Sequence, residues 1–233
     1  MEKMNLAILG AGGIASTMAK TVAQMDEVNL YAVAARDGAR ARAFADRFGA
    51  EKSYGSYDEM LRDDQVDLVY IATPHSHHCE HAKLCIEHGR PALCEKAFTR
   101  NAREAREVLD FAHEKGVFIT EAMWVRYMPM SVTLKKLLES GRIGKIVGLT
   151  ANLGYSLMHV ERMVRPELAG GALLDLGVYT MNFATWVLGD EVQSLSASVV
   201  WHNAAMETPP RGAQGQDASS ILMRYARDAA VDK

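Results

Sequence analysis

The 233-residue sequence has few cysteines, no long apolar run and little net charge. Its three cysteines, Cys79, Cys85 and Cys94, are odd in number and lack the paired spacing of a zinc site, so we expect reduced thiols. A formal net charge of −3 provides no attraction for nucleic acid or an anionic membrane, and neither partner is expected. Because no apolar stretch reaches membrane-spanning length and residues 1–9 are typical of a strand rather than a signal peptide, we expect a cytoplasmic protein.

What the sequence does contain is ordinary in bulk and informative in its motifs. The length suits two modest domains, and 48% hydrophobic with 24% charged residues is typical of a globular protein. Neither an internal repeat nor a low-complexity stretch is present. The function must therefore be inferred from local patterns.

The first of these patterns is a strand, a glycine turn and a helix. Residues 6–9 are all apolar, which is typical of a strand buried on both faces of a parallel sheet. Gly10, Gly12 and Ala15 follow with G-x-G-x-x-A spacing: the first permits a tight turn, the second lets a pyrophosphate approach the backbone, and the third allows helix and strand to pack closely. The pattern predicts a dinucleotide site at the helix N-terminus, with Gly13 and Ile14 as further contacts.

A second predicted strand, residues 28–35, ends at Arg36 and Asp37, about 20 residues beyond the glycine turn. An acidic side chain at this place holds the 2′-hydroxyl of NAD, whereas an arginine suits the 2′-phosphate of NADP. A hydrogen bond to a charged group contributes about 1.5–3 kcal/mol, so one arginine is enough to set the preference. We therefore expect NADP, with NAD as the alternative. A third interpretation is that Arg36 is a solvated residue at the start of the next helix.

Strands and helices alternate through the first half of the chain. Further predicted strands cover residues 53–54, 66–73, 92–98 and 117–122, and predicted helices cover residues 39–48, 57–62 and 101–115. This alternation predicts a doubly wound parallel α/β sheet. The last helix begins with Asn101 and Glu104 in a capping-box arrangement, and Leu109 is among the residues expected on its buried face.

Four histidines and a cysteine crowd the segment after the strand at residues 66–73. They are His75, His77, His78, Cys79 and His81. No carboxylate or second cysteine pair is spaced to complete a ligand set, so no metal site is expected. The carboxyl edge of such a sheet binds ligands, so we expect one or two histidines to contact cofactor or substrate, with Thr73 and Pro74.

Glu95 and Lys96 form a charged pair at the end of the strand at residues 92–98. A charged pair within an apolar strand is costly unless its partners satisfy it. One interpretation is an ion pair at a strand end. The other places Lys96 in the cleft beside the cofactor.

The character of the sequence changes after residue 122. A helix is predicted over residues 131–140 and another within 170–188, with strands over 145–153, 192–202 and 218–225 and a loop over 208–216. Asp175 and Tyr179 are four residues apart and so share one face of a helix. A carboxylate and a phenol on one face can serve proton transfer, or each can simply bond a neighbouring loop.

Together these segments resemble the Gfo/Idh/MocA family of NAD(P)-dependent oxidoreductases. The matching blocks are G-A-G-G-I-A at residues 10–15, A-T-P-H-S-H-H at 72–78, C-E-K-A at 94–97, E-A-M-W-V-R-Y-M-P at 121–129 and G-G-A-L-L-D-L-G-V-Y at 170–179. The block at 121–129 and the tyrosine at 179 are most similar to the dihydrodiol and D-xylose dehydrogenase branch. Ala97 departs from the usual E-K-P, which bears on loop geometry.

The resemblance implies an N-terminal Rossmann domain, residues 1–122, and a C-terminal α/β domain, residues 123–233, with an open, mostly antiparallel sheet. Family members usually have a longer second domain, so a shortened form or a fragment is expected. A homodimer is also expected, because an open sheet face commonly packs against a partner. The cofactor residues implied are Gly10, Gly12, Gly13, Ile14, Arg36, Thr73, Pro74, His75, His78, Glu95, Lys96, Trp124 and Arg126.

The resemblance also implies hydride exchange between a nicotinamide and a sugar, polyol or dihydrodiol. Tyr179 would give and take the proton, Lys96 would stabilise its phenolate, and Asp175 would orient substrate or lysine. Trp124 would form an apolar wall, and Arg126 would reach cofactor or substrate. Weaker substrate candidates are Arg162 and Arg165. The alternatives are an inositol dehydrogenase, an NAD-using glycosidase and a non-catalytic NADP-binding fragment.

Overall fold

The computed structural model describes residues 3–157, 159–201 and 216–225. The chain divides into two compact units, Met1–Ala122 and Met123–Lys233. Among the described residues, no helix combines the length and apolar character needed to cross a membrane.

The first unit contains a six-stranded parallel sheet. Its strands are β1 (Met4–Leu9), β2 (Val28–Ala34), β3 (Lys52–Tyr54), β4 (Leu68–Ile71), β5 (Ala92–Cys94) and β6 (Ile119–Glu121). They lie in the order β3-β2-β1-β4-β5-β6, so the chain reverses direction across the sheet between β1 and β4. This order confirms the predicted doubly wound fold, and ligands in such sheets bind beyond the carboxyl ends of the strands at that reversal.

Five helices accompany this sheet, and residues 6–9 of β1 are all apolar because buried clusters lie on both faces of the strand. The helices are α1 (Gly13–Val22), α2 (Gly38–Phe48), α3 (Tyr57–Leu61), α4 (His78–Glu87, after a 3₁₀ turn at His75–His77) and α5 (Ala102–Lys115). Ala7 and Leu9 of β1 belong to one buried cluster, while Leu6 and Ile8 belong to another. Successive side chains of a strand point to opposite faces, so both faces of β1 are covered.

One polar cluster ties the segment after α3 to the sheet. The carboxylate of Asp63 accepts hydrogen bonds from the Tyr31 hydroxyl at 2.9 Å, the Lys52 ammonium at 2.7 Å and the Tyr54 hydroxyl at 2.5 Å. Burial disfavours the charged carboxylate, but these bonds together hold the pKa of Asp63 well below its usual range.

The predicted buried face of α5 is wrong in part. Asn101 caps the helix by accepting from the Glu104 amide at 3.0 Å, as expected, but Leu109 is 50% exposed. Val108 and Ala112 take the buried positions with Glu104, whose carboxylate accepts from Arg100. Glu104 can lie on the buried face because its ion pair with Arg100 compensates for the loss of hydration of the carboxylate.

The second unit combines helices with a two-stranded antiparallel sheet. Its elements are a 3₁₀ turn at Trp124–Tyr127, α6 (Pro129–Glu139), α7 (Glu161–Val164), a second 3₁₀ turn at Pro166–Leu168, a π-helical turn at Leu173–Gly177, α8 (Val178–Leu188), β7 (Val192–Trp201) and β8 (Gln216–Tyr225). β7 and β8 pair antiparallel. The loop predicted over residues 208–216 lies outside the described residues except for Gln216.

The strand predicted over residues 145–153 is wrong. This segment has no regular secondary structure, and its apolar residue Val147 is 97% exposed. Alternating sequence forms a strand only where a neighbour completes the hydrogen-bond ladder. Within the described ranges, no strand pairs with this segment.

Candidate cofactor and active site

The glycine turn after β1 is packed against the loop after β4. Gly10 has a φ of 105°, and a Cβ there would lie 2.9 Å from the Thr73 methyl carbon and 3.1 Å from the Ala72 carbonyl oxygen. Both the backbone conformation and the close approach therefore require glycine. The turn brings the residues that follow β1 beside those that follow β4.

The N-terminus of α1 is open to an anion. Gly12 caps the helix without a side-chain hydrogen bond, no acidic residue lies in its first turn, and a Cβ on Gly13 would meet nothing within 4 Å. Ile14 is 44% exposed, whereas Ala15 is fully buried as the motif predicts. The first backbone N–H groups of a helix, with its positive dipole end, favour a phosphate at such a place.

The end of β2 separates the roles of Arg36 and Asp37. Asp37 caps α2, because its carboxylate accepts a hydrogen bond from the Ala39 amide at 2.9 Å. Arg36 is exposed and lines a cavity. One turn further along, Arg40 donates from Nε and Nη2 to the carbonyl oxygen of Ala11 at 3.1 and 2.9 Å, which ties α2 to the glycine turn. Sequence reasoning missed Arg40, which no motif in the sequence marks.

The cavity beside Arg36 has a volume of about 300 Å³. Tyr57, Thr73 and Pro74 line it together with residues of the histidine segment. It lies at the carboxyl edge of the sheet, where the adenosine part of a dinucleotide is held in this fold class. The residues lining it are Arg36, Tyr57, Thr73, Pro74, His77, Glu80 and His81.

Three of the four histidines in this segment are buried, and two of the four line the cavity. His78 is fully buried, with Nδ1 2.7 Å from the Ala97 carbonyl oxygen and Nε2 2.8 Å from that of Thr73. Its ring thus joins the loop after β4 to the loop after β5, and its cofactor contact stays a prediction. His75 and His81 are also buried, and His81 lines the cavity together with His77.

His81 bonds through Nδ1 with the Thr73 hydroxyl at 2.9 Å. Burial, helped by the neighbouring His77, lowers the pKa of His81 to about 4, so the ring is neutral at pH 7. The prediction that no carboxylate is spaced to complete a ligand set here is wrong. One ligand atom from each of His77, Glu80 and His81 lies within 4.8 Å of the others.

Glu95 holds the backbone of the candidate lysine, Lys96, in place. It is buried at the end of β5, where its carboxylate accepts a hydrogen bond from the Tyr70 hydroxyl and another from the backbone N–H of Lys96 at 3.1 Å. Burial raises the pKa of Glu95 despite these bonds. Lys96 itself is half-buried.

In the second unit, the structure brings Trp124 and Tyr179 together. The indole Nε1–H donates to the phenolic oxygen at 3.1 Å, and the rings meet edge to face with centroids 6.1 Å apart. Arg126 donates to the Asn182 side-chain oxygen at 2.9 Å, close to one helical turn along α8.

The other three charged candidates form ion pairs. Asp175, 3% exposed, pairs with Arg162 at 2.9 Å. Arg165 pairs with two exposed acids, Glu161 at 2.8 Å and Glu167 at 3.2 Å. Asp175 thus contacts Arg162 and Tyr179 contacts Trp124, although only four positions separate Asp175 from Tyr179.

A π-helical turn leads from Asp175 towards Tyr179 and was not predicted. Asp175 belongs to the turn at Leu173–Gly177, and Tyr179 to α8. Such turns are rare and are found disproportionately at functional sites. Their i→i+5 bonding changes where side chains point relative to a regular α-helix, so α-helical spacing alone could not place them.

Comparison with known proteins agrees with this architecture. A profile of the Gfo/Idh/MocA oxidoreductase family, described as having an NAD-binding Rossmann fold, matches residues 4–123, and one of the family's C-terminal domain matches residues 131–232. The chain belongs to the Gfo/Idh/MocA family.

Named relatives of this Gfo/Idh/MocA chain are dehydrogenases. The trans-1,2-dihydrobenzene-1,2-diol dehydrogenase of Mus musculus is 36% identical over 94% of this chain and 64% of its own length. The D-xylose 1-dehydrogenase (NADP(+)) of Hypocrea jecorina is 41% identical over 77% of this chain and 51% of its own length. The chain thus spans between half and two-thirds of these relatives.

A solved structure shares the fold. GenD2 from gentamicin A biosynthesis, in complex with NAD, superposes with a TM-score of 0.81 at 26% identity, covering 97% of this Gfo/Idh/MocA chain and 63% of GenD2. The family and its branch, predicted from five short blocks, are confirmed by these matches.

Proposed function

We propose that this protein is an NADP-dependent oxidoreductase that exchanges a hydride with a hydroxyl-bearing carbon of a sugar, polyol or dihydrodiol. The observation that carries the proposal is the glycine turn. Gly10 packs closely against Thr73, and no side chain caps the N-terminus of α1 beside it. A pyrophosphate requires this combination of a tight turn and an open helix N-terminus. The names of the mouse and Hypocrea relatives support the substrate class.

The preference for NADP rests on the different roles of the two residues that follow β2, Arg36 and Asp37. Asp37 uses its carboxylate to cap α2, so it is committed to the protein backbone. Arg36 remains at the cavity wall, where a guanidinium suits a 2′-phosphate. NAD is the alternative cofactor, and the GenD2 structure contains it.

The proposed cofactor contacts come mainly from the first unit. Backbone groups of Gly10, Gly12 and Gly13 would face the pyrophosphate beside Ile14, and Arg36 would face the 2′-phosphate. From the family resemblance we add Thr73, Pro74, His75, His78, Glu95, Lys96, Trp124 and Arg126. When bound, the nicotinamide supplies the hydride acceptor or donor.

The protein's own chemistry would be the movement of a proton. We assign Tyr179 as the group that gives or takes it, with Trp124 holding the phenolic oxygen. Lys96 would stabilise negative charge on the reacting oxygen, since an adjacent cation favours a charged form. Asp175, fixed by Arg162, would orient the substrate.

Substrate contacts and assembly complete the proposal. The exposed ring of Trp124 offers a stacking surface to a sugar or a dihydrodiol, and Arg162 and Arg165 are the charged substrate candidates. We further propose a homodimer in the cytoplasm. Free thiols at Cys79, Cys85 and Cys94 are consistent with a reducing compartment.

The test is a titration of the chain with NADPH and with NADH, followed by nicotinamide fluorescence, and then turnover with D-xylose and with a trans-dihydrodiol. We expect tighter binding of NADPH and oxidation of one substrate class. Binding of neither dinucleotide would overturn the proposal. Binding without turnover on any sugar, polyol or dihydrodiol would reject the enzymatic part.

A further inference from the structure

Three side chains that can ligate a metal meet at the start of α4. His77, Glu80 and His81 have i, i+3, i+4 spacing, and a ligand atom from each lies within 4.8 Å of the others. His77 Nδ1 is 3.9 Å from a carboxylate oxygen of Glu80. The rings of His77 and His81 stack, with centroids 5.5 Å apart and planes inclined by 23°. The backbone of one helical segment therefore holds all three together.

Two imidazoles and one carboxylate are a ligand set that suits Zn²⁺. Tetrahedral bonds of 2.0–2.2 Å put ligand atoms roughly 3.3 Å apart, so side chains whose ligand atoms lie within 4.8 Å must close by up to about 1.5 Å. Glu80, whose side chain is 77% exposed, can approach the two imidazoles by rotation of its side chain. The fourth position would remain for water, as in sites with three protein ligands.

Neighbouring side chains already orient His81. The Thr73 hydroxyl is 2.9 Å from Nδ1 of His81, which leaves Nε2 as the nitrogen for a metal. A hydrogen bond of this kind fixes the tautomer and orientation of a ligating histidine. The ring of Tyr57 also packs edge-on against His81, with centroids 4.8 Å apart. His81 is thus the rigid member of the set.

We propose that His77, Glu80 and His81 form a binding site for a divalent late transition-metal ion of the Zn²⁺ class, and that an ion bound there excludes the dinucleotide. The three side chains line the same cavity as Arg36. An ion that draws them together would therefore narrow the space left for a dinucleotide. The exclusion rests on the proposed function, because it requires that the cavity receive the adenosine end of NADP.

The metal site is tested on the dinucleotide-free chain by calorimetric titration with ZnCl₂. The variants are His77→Gln and Glu80→Gln, and the control is His113→Gln, an exposed histidine near the end of α5. We expect one ion per chain, bound about tenfold or more weakly in each variant and unchanged in the control. Equal affinity in parent and variants would overturn the site.

Two further measurements separate the possible failures. The Co²⁺-loaded chain should show a tetrahedral visible spectrum without a sulfur-to-metal charge-transfer band; such a band would assign the metal to a cysteine instead and overturn the site. Zn²⁺ should raise the apparent Kd of NADPH in the parent, and in Glu80→Gln the same rise should need about tenfold or more Zn²⁺. If Zn²⁺ binds as expected and NADPH affinity does not fall, the exclusion is wrong. If NADPH does not bind at all, the proposed function fails while the zinc titration still decides the site.

Discussion

The indole N–H of Trp124 donates a hydrogen bond to the phenolic oxygen of Tyr179 at 3.1 Å. The two residues are 55 positions apart in the chain and belong to the same compact unit. Trp124 thus has two surfaces with different uses: its N–H is directed at the proposed proton donor, while the residue as a whole is 53% exposed. A hydrogen-bond donor held at this place stabilises negative charge that develops on a phenolic oxygen.

Replacing Trp124 with phenylalanine keeps an aromatic ring and removes the N–H donor. A hydrogen bond contributes about 0.5–1.5 kcal/mol, so we expect kcat to fall roughly 2- to 12-fold. KM should change little, because an aromatic surface remains. Steady-state kinetics with D-xylose or a trans-dihydrodiol measure both values. The matched control is Trp186→Phe on α8, whose ring packs against Phe183 with centroids 5.9 Å apart; equal kcat losses in both variants would refute the role given to Trp124.

The Arg36→Ala variant tests the cofactor preference. Loss of a charged hydrogen bond to the 2′-phosphate should weaken NADPH binding by roughly 10- to 150-fold and leave NADH, which lacks that phosphate, nearly unchanged. Fluorescence titration with both dinucleotides gives the two affinities. Arg42→Ala, which replaces an exposed arginine of α2, is the control. A parallel loss for NADH would mean that Arg36 supports the fold of the loop instead of binding the phosphate.

The glycine turn and its surroundings differ in how far they could be predicted from sequence. The turn is local: strand, turn and helix are adjacent in the chain, so their geometry follows from the order of residues. Arg40 reaches the Ala11 carbonyl and His81 reaches Thr73 only because α2 and α4 pack beside the sheet. No spacing rule connects residues from different elements.

The second unit was harder to predict for the same reason. The strand expected over residues 145–153 depends on a neighbour that sequence alternation does not reveal. The π-helical turn at Leu173–Gly177 replaces the α-helical spacing assumed for Asp175 and Tyr179. Asp175 pairs with Arg162, a contact across 13 positions that neither residue's motif indicated.

That ion pair gives a prediction about stability. Arg162→Met removes this cation from the buried carboxylate of Asp175, and breaking a buried ion pair is costly. Because Arg162 is partly solvated, we expect the free energy of unfolding to fall by about 1–3 kcal/mol, less than the full range for a buried pair. Arg165→Met removes only exposed ion pairs and should change stability little. Urea unfolding of both variants measures the difference. Equal midpoints would show that Arg162 contributes no more than a surface arginine.

The Asp63 cluster predicts how stability depends on pH. Hydrogen bonds from Lys52, Tyr54 and Tyr31 outweigh burial and lower the pKa of Asp63 in the folded state, so the folded chain holds this group's proton less tightly than the unfolded chain, in which the pKa is about 3.9. The stabilisation is therefore fully present well above pH 4 and is lost as the pH falls below it.

We expect Asp63→Asn to lower the free energy of unfolding by about 1.5–3 kcal/mol at pH 7, the usual range for hydrogen bonds to a charged group. The gap between parent and variant should narrow steadily below about pH 4, because the parent's carboxylate then takes up a proton on unfolding. Urea denaturation at a series of pH values measures this gap. Asp64→Asn is the control, because the Asp64 side chain is 95% exposed in its ion pair with Arg90. A gap that stays constant through the acid range would show that the Asp63 hydrogen bonds stabilise the fold without favouring its ionised form.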